Sequence, residues 1–219
     1  MGQTTAECEK SAGLSSKFPR WTALWMRLVT KCVSADIYLF ARALRSGPQA
    51  VGAACPSSKR LADCMAAQVA SFSNGYVVEL GAGTGVVTAS LLAHGIAPER
   101  LIVVEKSAIL AEHLRGRFPH VTILEGDAAH LGSLLGWRAK RVVAVVSSLP
   151  LKSLPKSTVD QIGAALDAVL PRGATFIQFT YNLRCRAIDW THQLTCRHSQ
   201  TIWRNLPPAR VNVFSWGES

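Results

Sequence analysis

The stretch Val77-Val78-Glu79-Leu80-Gly81-Ala82-Gly83-Thr84-Gly85 constrains the fold of this chain more than any other. Its apolar run reads as a buried strand, and glycines at alternate positions force a tight turn that opens a helix near Thr84. Backbone without a Cβ approaches a ligand closely, and the first turn of a helix offers unpaired N–H groups. The loop therefore suits a nucleoside-containing cofactor. A second buried-strand pattern, Leu101-Ile102-Val103-Val104, ends in Glu105, 24 residues beyond Gly81. An acid at that distance is placed to accept hydrogen bonds from both ribose hydroxyls.

Strand and helix patterns alternate regularly after the turn at Ser73-Asn74-Gly75. The expected strands are Tyr76 to Leu80, Leu101 to Val104, Val121 to Leu124, Val142 to Val146 and Thr175 to Thr180. Helices are expected near 84 to 94, 107 to 117, 129 to 136 and 157 to 169. Alternation of this kind predicts an α/β fold with a Rossmann-like, doubly wound, mostly parallel sheet. Cys196 to Trp203 and Arg210 to Ser215, joined through Asn205-Leu206-Pro207-Pro208, read as a closing antiparallel hairpin. Upstream, Pro56-Ser57-Ser58 opens a helix through Leu61, Met65 and Val69 with serine as its N-cap. The 219 residues divide into one catalytic-type domain over 46–219 and an N-terminal region over 1–45.

Residues 1–15 are small and polar and read as a flexible tail. From Lys17 to Leu44 the pattern is that of an amphipathic helix. Trp21, Leu24, Trp25, Leu28, Val29 and Cys32 share one arc, and Arg20, Arg27, Lys31 and Ser34 the other. One reading packs that apolar arc on the domain. The other lays the helix in a membrane interface, with Trp21, Trp25 and Leu28 at the headgroup boundary and Arg27 and Lys31 toward anionic lipid. The formal net charge of +10 favours a polyanionic partner, a nucleic acid or an anionic membrane surface. Cys8, Cys32, Cys55, Cys64, Cys185 and Cys196 form no CxxC pair and no zinc-ligand spacing with the histidines. Reduced thiols, a cytoplasmic setting and no metal are therefore expected. No segment has the length of uninterrupted apolar residues that a transmembrane helix needs, and Ala6 stands where N-myristoylation wants Ser or Thr.

Ligands of open α/β sheets sit at the carboxyl ends of the strands. The first strand ends in Glu79 and the glycines, the second in Glu105 and Lys106. The third ends in Glu125-Gly126-Asp127-Ala128, where an acid and a backbone amide can read an adenine edge. Asp127 is equally suited to cap the following helix. The fourth ends in Ser147-Ser148-Leu149-Pro150.

With Glu79-x-Gly81-x-Gly83-x-Gly85, Glu105 and Asp127 in place, the chain resembles the class I S-adenosylmethionine-dependent methyltransferases. Members of that class that methylate nucleobases carry an Asn/Asp-Pro-Pro-aromatic sequence after strand four. Ser147-Ser148-Leu149-Pro150 lacks both its polar acceptor and its stacking ring, so a nucleic-acid (rRNA adenine-type) methyltransferase is the alternative and nucleic acid is not the expected partner. Gly47 to Ser58 (GPQAVGAACPSS), Ser147 to Pro155 (SSLPLKSLP), Phe176 to Tyr181 (FIQFTY) and Asn205 to Val211 (NLPPARV) resemble the bacterial phospholipid N-methyltransferases, over about Leu39 to Val213. Asn212 and Asn182 depart from that pattern, where an aromatic and a glycine are expected.

The resemblance implies methyl transfer from S-adenosylmethionine to the amine of phosphatidylethanolamine, and possible further rounds on its methylated derivatives, with S-adenosylhomocysteine as product. It implies peripheral attachment to the inner face of the cytoplasmic membrane. The expected cofactor contacts are Glu79, Gly81, Gly83, Gly85, Glu105, Lys106, Asp127, Ala128 and Ser147, with Glu79 reaching the methionine amino group. Ser148 and Pro150 would shape the floor beneath the methyl. Tyr181 either orients the amine or packs as a ring at the sheet edge. Lys152, Arg184 and Arg186 either hold the lipid phosphate or are solvated surface charges.

Overall fold

The computed structural model describes residues 58–69, 75–181, 183, 194–205 and 208–217, all within one compact unit, Ala35–Ser219. The amphipathic stretch with Trp21, Trp25, Arg27, Leu28 and Lys31, and the basic pair Arg184 and Arg186, lie outside the described residues.

The elements run α1 (Lys59–Ala67), β1 (Tyr76–Leu80), α2 (Val86–Ala93), β2 (Leu101–Glu105), α3 (Ala108–Arg117), β3 (Thr122–Glu125), α4 (Leu131–Leu135), β4 (Val142–Ser147), α5 (Lys156–Val169), β5 (Thr175–Thr180), β6 (Leu194–Ile202) and β7 (Ala209–Trp216). They build a seven-stranded sheet in the order β3-β2-β1-β4-β5-β7-β6. Strands β1 to β5 are parallel, and β7 runs antiparallel to both β5 and β6. The strand order reverses between β1 and β4, and a crevice opens at such a switch point beyond the carboxyl ends of the strands. The expected doubly wound sheet and closing hairpin are both present.

Alternate strand residues feed two cores, because successive side chains point to opposite faces. Val77, Leu101, Val103, Val146 and Ile177 pack with Leu61 and Met65 of α1 and Val87 and Leu91 of α2. Val78, Leu80, Ile102, Val145 and Phe176 pack with Leu131 of α4 and Ile162 and Leu166 of α5. Burial on both faces explains why the central strands read as continuous apolar runs.

Several boundaries differ from the sequence expectation by a residue or two, and two of the differences have a clear local reason. Helix α2 starts at Val86, because Gly85 sits at φ +83 and cannot be a helical residue. The helix expected over 129–136 is a 3₁₀ turn at Ala128–His130 followed by the short α4, which Gly136 ends at φ +54. The third strand is shifted one residue toward its carboxyl end, to Thr122–Glu125.

Ser58 is the N-cap of α1. Its hydroxyl accepts from Leu61 N at 3.2 Å and donates to Asn205 Oδ1 in the β6–β7 turn. One side chain thus closes a helix and ties it to a turn far away in sequence. Ser58→Ala should cost about 1–2 kcal/mol through loss of the cap and of a partner for the buried Asn205. Urea unfolding would register this as a lower midpoint at unchanged slope.

Candidate active site

The glycine loop, the tip of β2 and the segment after β4 meet at the carboxyl end of β1. Gly81 N donates to Val104 O of β2 at 2.8 Å, and Ser148 N donates to Leu80 O at 2.9 Å. Gly81 sits at φ +71, a conformation that favours glycine, and an added Cβ would lie 2.5 Å from Leu149 Cδ2, so a side chain there would have to displace the leucine. Gly83, at φ +60, is different: an added Cβ there would meet nothing within 4 Å, so its backbone borders open space that a ligand can enter.

Three acids surround the loop, each in a different state. Glu79 is fully buried in β1. Its Oε2 accepts from Thr88 Oγ1 of α2 at 2.6 Å, while its Oε1 is buried and has no hydrogen-bond partner. Burial, only partly offset by the Thr88 hydroxyl and reinforced by the nearby Glu105, pushes its carboxyl up to about 8. A carboxyl in that condition fits a cationic group supplied by a ligand.

Glu105 closes β2 with one oxygen on each of two loops: Oε2 accepts from Gly83 N at 3.0 Å and Oε1 from Ser107 N at 2.9 Å. Burial raises its carboxyl, against the lowering effect of the Ser107, Gly83 and Lys106 amides. Asp127 follows β3. Partial burial pushes it up, but the Lys106 ammonium at 2.7 Å and the Ala129 amide at 3.0 Å outweigh that and hold it below the usual carboxylate range. Asp127 therefore does cap the 3₁₀ turn, with its oxygens already engaged by Lys106 and Ala129, and Ala128 beside it is buried.

Ser147 ends β4 between Leu80 of β1 and Gln178 of β5, in register with both. The Oγ atoms of Ser147 and Ser148 are buried without a partner. Pro150 precedes a 3₁₀ turn at Leu151–Ser153, on which Lys152 is exposed. Tyr181, just past β5, is half-buried. Its ring packs edge-on against Phe179 at 5.4 Å, within the core layer shared with α1 and α2.

Gln178 was not singled out in the sequence. Its Nε2 donates to Leu149 O at 3.0 Å and to Phe179 O at 2.8 Å. Two carbonyl acceptors leave one orientation for the amide, because only the NH₂ end can donate to both. Gln178 thereby braces the segment after β4 from the sheet, and its Oε1 is buried without a partner beside Ser147. The only sequence signal was a lone polar residue inside the apolar run Phe176-Ile177-Gln178-Phe179.

The fold and the acid-bearing glycine loop define a class I S-adenosylmethionine-dependent methyltransferase, and comparison with solved structures agrees on the fold. TrmN from Thermus thermophilus aligns over 72% of this chain and 48% of its own, at a TM-score of 0.57 and 16% identity. The N-methyltransferase NodS from Bradyrhizobium japonicum, solved with S-adenosyl-L-homocysteine, aligns over 73% of this chain and 87% of its own, at 0.54 and 14% identity. No protein-family model matches the chain. An ornithine lipid N-methyltransferase from Singulisphaera acidiphila is 31% identical over 185 residues, which cover 80% of this chain and 93% of that protein. The chain belongs to this family of lipid N-methyltransferases, and its cofactor is S-adenosylmethionine.

The residues fit that cofactor: the unpaired Oε1 of Glu79 would suit an ammonium, the open backbone at Gly83 a close approach, and the remaining lone pairs of Glu105 a pair of hydroxyls. Because the folded-state carboxyl of Glu79 is raised, the stability it lends as a neutral group is fully present below about 4.5 and is lost as pH rises through about 8. An ammonium placed beside it would reverse that preference, and binding at neutral pH would then expel the Glu79 proton. Calorimetric titration with S-adenosylhomocysteine at pH 7, in buffers of different ionisation enthalpy, should show release of about one proton. Glu79→Gln should abolish the release and weaken binding; an unchanged release would assign it elsewhere. Glu105→Ala should weaken binding roughly tenfold or more, and unaltered affinity would remove Glu105 from the ribose.

Proposed function

We propose that this protein transfers methyl groups from S-adenosylmethionine to the headgroup amine of a membrane lipid, with phosphatidylethanolamine as the expected acceptor and ornithine lipid as the second. The observation that carries the reading is the similarity to the ornithine lipid enzyme over four fifths of the chain. The segment after β4 supports it: Leu149 and Pro150 stand at the switch point, where a base-methylating site would need a planar stacking ring.

When bound, S-adenosylmethionine supplies a sulfonium-activated methyl, so that a C–N bond forms to the amine lone pair as the C–S bond breaks and S-adenosylhomocysteine leaves. The chain's own part is alignment and the exclusion of water, which supply several kcal/mol without a covalent intermediate. Glu79 holds the methionine end, Glu105 the ribose, and the Asp127–Ala128 turn the adenine, with Lys106 fixing Asp127. Gly81 lets Leu149 close over the loop, and Ser147, Ser148 and Pro150 form the floor beneath the methyl. Tyr181 orients the amine by its hydroxyl or its ring face. The amine must shed a proton before its lone pair is free. Lys152, together with Arg184 and Arg186, meets the lipid phosphate.

The second acceptor is favoured by the relative's own name, and both lipids present an amine to the same site. Vesicles containing either lipid, incubated with labelled methyl donor beside an RNA control, test the reading. Label should enter an amine lipid and not RNA. Label in RNA with neither lipid modified would overturn it.

A further inference from the structure

Only two large apolar side chains are exposed among the described residues, Trp137 at 64% and Trp203 at 73%, and they lie at opposite ends of the sheet. Trp137 belongs to the turn that leads into β4 at its amino end. Its ring meets Tyr76 edge-on at 6.1 Å and carries the Arg138 guanidinium at 5.1 Å, so neighbouring side chains engage it. Trp203 sits in the turn between β6 and β7. Strand β7 runs antiparallel to β5, with Arg210 opposite Thr180 and Ala209 opposite Ile202. That register puts the turn beside the carboxyl end of β5, the same end as the glycine loop and Ser147.

Residues 203–205 of the turn are also held in place. Asn205 N donates to Ile202 O at 3.2 Å, and the buried Asn205 side chain accepts from Ser58 at the start of α1. Trp203 and Arg204 are thus presented, both exposed, on a fastened base. Lys152 is exposed at this same end of the sheet, and Arg210 is half-buried. The acids here are spoken for: Glu79 and Glu105 are buried, Asp127 is paired with Lys106, and Glu125 lies 3.6 Å from Arg115. Among the described residues, this end shows the exposed indole of Trp203 with Arg204 and Lys152, and its exposed acids Glu125 and Asp160 each lie against a basic side chain, Arg115 and Lys156.

We propose that the β6–β7 turn is a membrane contact, in which Trp203 enters the headgroup boundary of an anionic bilayer and Arg204, with Lys152, meets lipid phosphates. This rests on the lipid reading and adds the orientation: the carboxyl edge of the sheet faces the bilayer, so an amine lipid reaches the methyl without leaving the membrane. An indole is suited to that boundary because its ring is apolar while its N–H stays hydrated. Cations beside it gain from the negative surface potential. A nucleic acid would also draw the cations, which makes it an outcome to be tested.

The test uses the full chain and vesicles of phosphatidylcholine with or without phosphatidylglycerol, read by co-sedimentation. Trp203→Ser should weaken binding to anionic vesicles about tenfold, and Arg204→Gln about fivefold, an effect lost on neutral vesicles. Trp137→Ser is the control and should bind as wild type. S-adenosylhomocysteine affinity and thermal unfolding, both unchanged, establish that each variant is folded. Wild-type binding by Trp203→Ser, an equal loss in Trp137→Ser, or capture of RNA in preference to anionic vesicles would each overturn the proposal. A short-chain amine lipid below its micelle concentration separates this from the lipid reading. If both hold, Trp203→Ser methylates the monomeric lipid normally and the vesicle lipid poorly. If wild type methylates neither, the substrate reading fails, while vesicle binding still reports on the turn.

Discussion

The carboxyl end of β1 ties together the loops that border the candidate cofactor site. Leu80 O accepts from Ser148 N, and Gly81 N reaches across to Val104 O, so a single strand end sets the positions of the glycine loop, the tip of β2 and the segment after β4. Glu105 repeats the link from the other side by taking one amide from each of two loops. These bonds stand at the edge of a sheet buried on both faces, where an unmade hydrogen bond costs the full desolvation of the group. The loops are therefore set by the sheet rather than by their own sequences, which suits a reaction whose catalysis is mainly alignment.

That rigidity has a cost, carried by Glu79. A carboxyl with no exposure and one unpartnered oxygen is mostly the neutral acid at neutral pH, and its ionisation there is opposed by about 1 kcal/mol. Asp127 shows the opposite arrangement, already ionised against Lys106 and only partly buried. Glu105 lies between them, buried but supplied with amide donors. Three carboxyl groups around one loop thus hold three different relations to charge, and Glu79 alone among them has a buried oxygen without a partner. Under the proposed contact, cofactor binding would relieve this stress.

The cofactor half was legible in the sequence because its determinants are local or nearly so. A strand, three alternate glycines and an acid at a fixed distance report on a unit that folds by its own pattern. The even spacing of strands after Gly75 likewise carried the sheet and its antiparallel close. Gln178 was not legible, since its meaning depends on register: opposite Ser147 in β4 and under Leu149 it is a brace, whereas in its own strand it is an interruption of apolar residues. Trp203 was hidden for a related reason. A tryptophan at a strand end reads as core until the hairpin register shows it beyond the last pair of the ladder. Asp127 was left between two roles, and its contacts show the cap directly while leaving the adenine role to ligand binding.

Division of labour within the sheet explains why the acceptor is harder to read than the donor. β1, β2 and β3 carry the acids around the glycine loop, whereas β4 and β5 present serines, a brace and apolar cover, and the hairpin adds an exposed tryptophan and arginine. A donor site of fixed chemistry needs charges at fixed places, and charges in strands leave a strong trace. An acceptor site for an amine on an otherwise apolar molecule needs shape, a few neutral acceptors and a route that keeps the tails out of water. Leucine, proline, serine and one exposed tryptophan can provide that while resembling ordinary loop residues. The weak signal of the acceptor half is thus what the chemistry of an amine lipid acceptor leads one to expect.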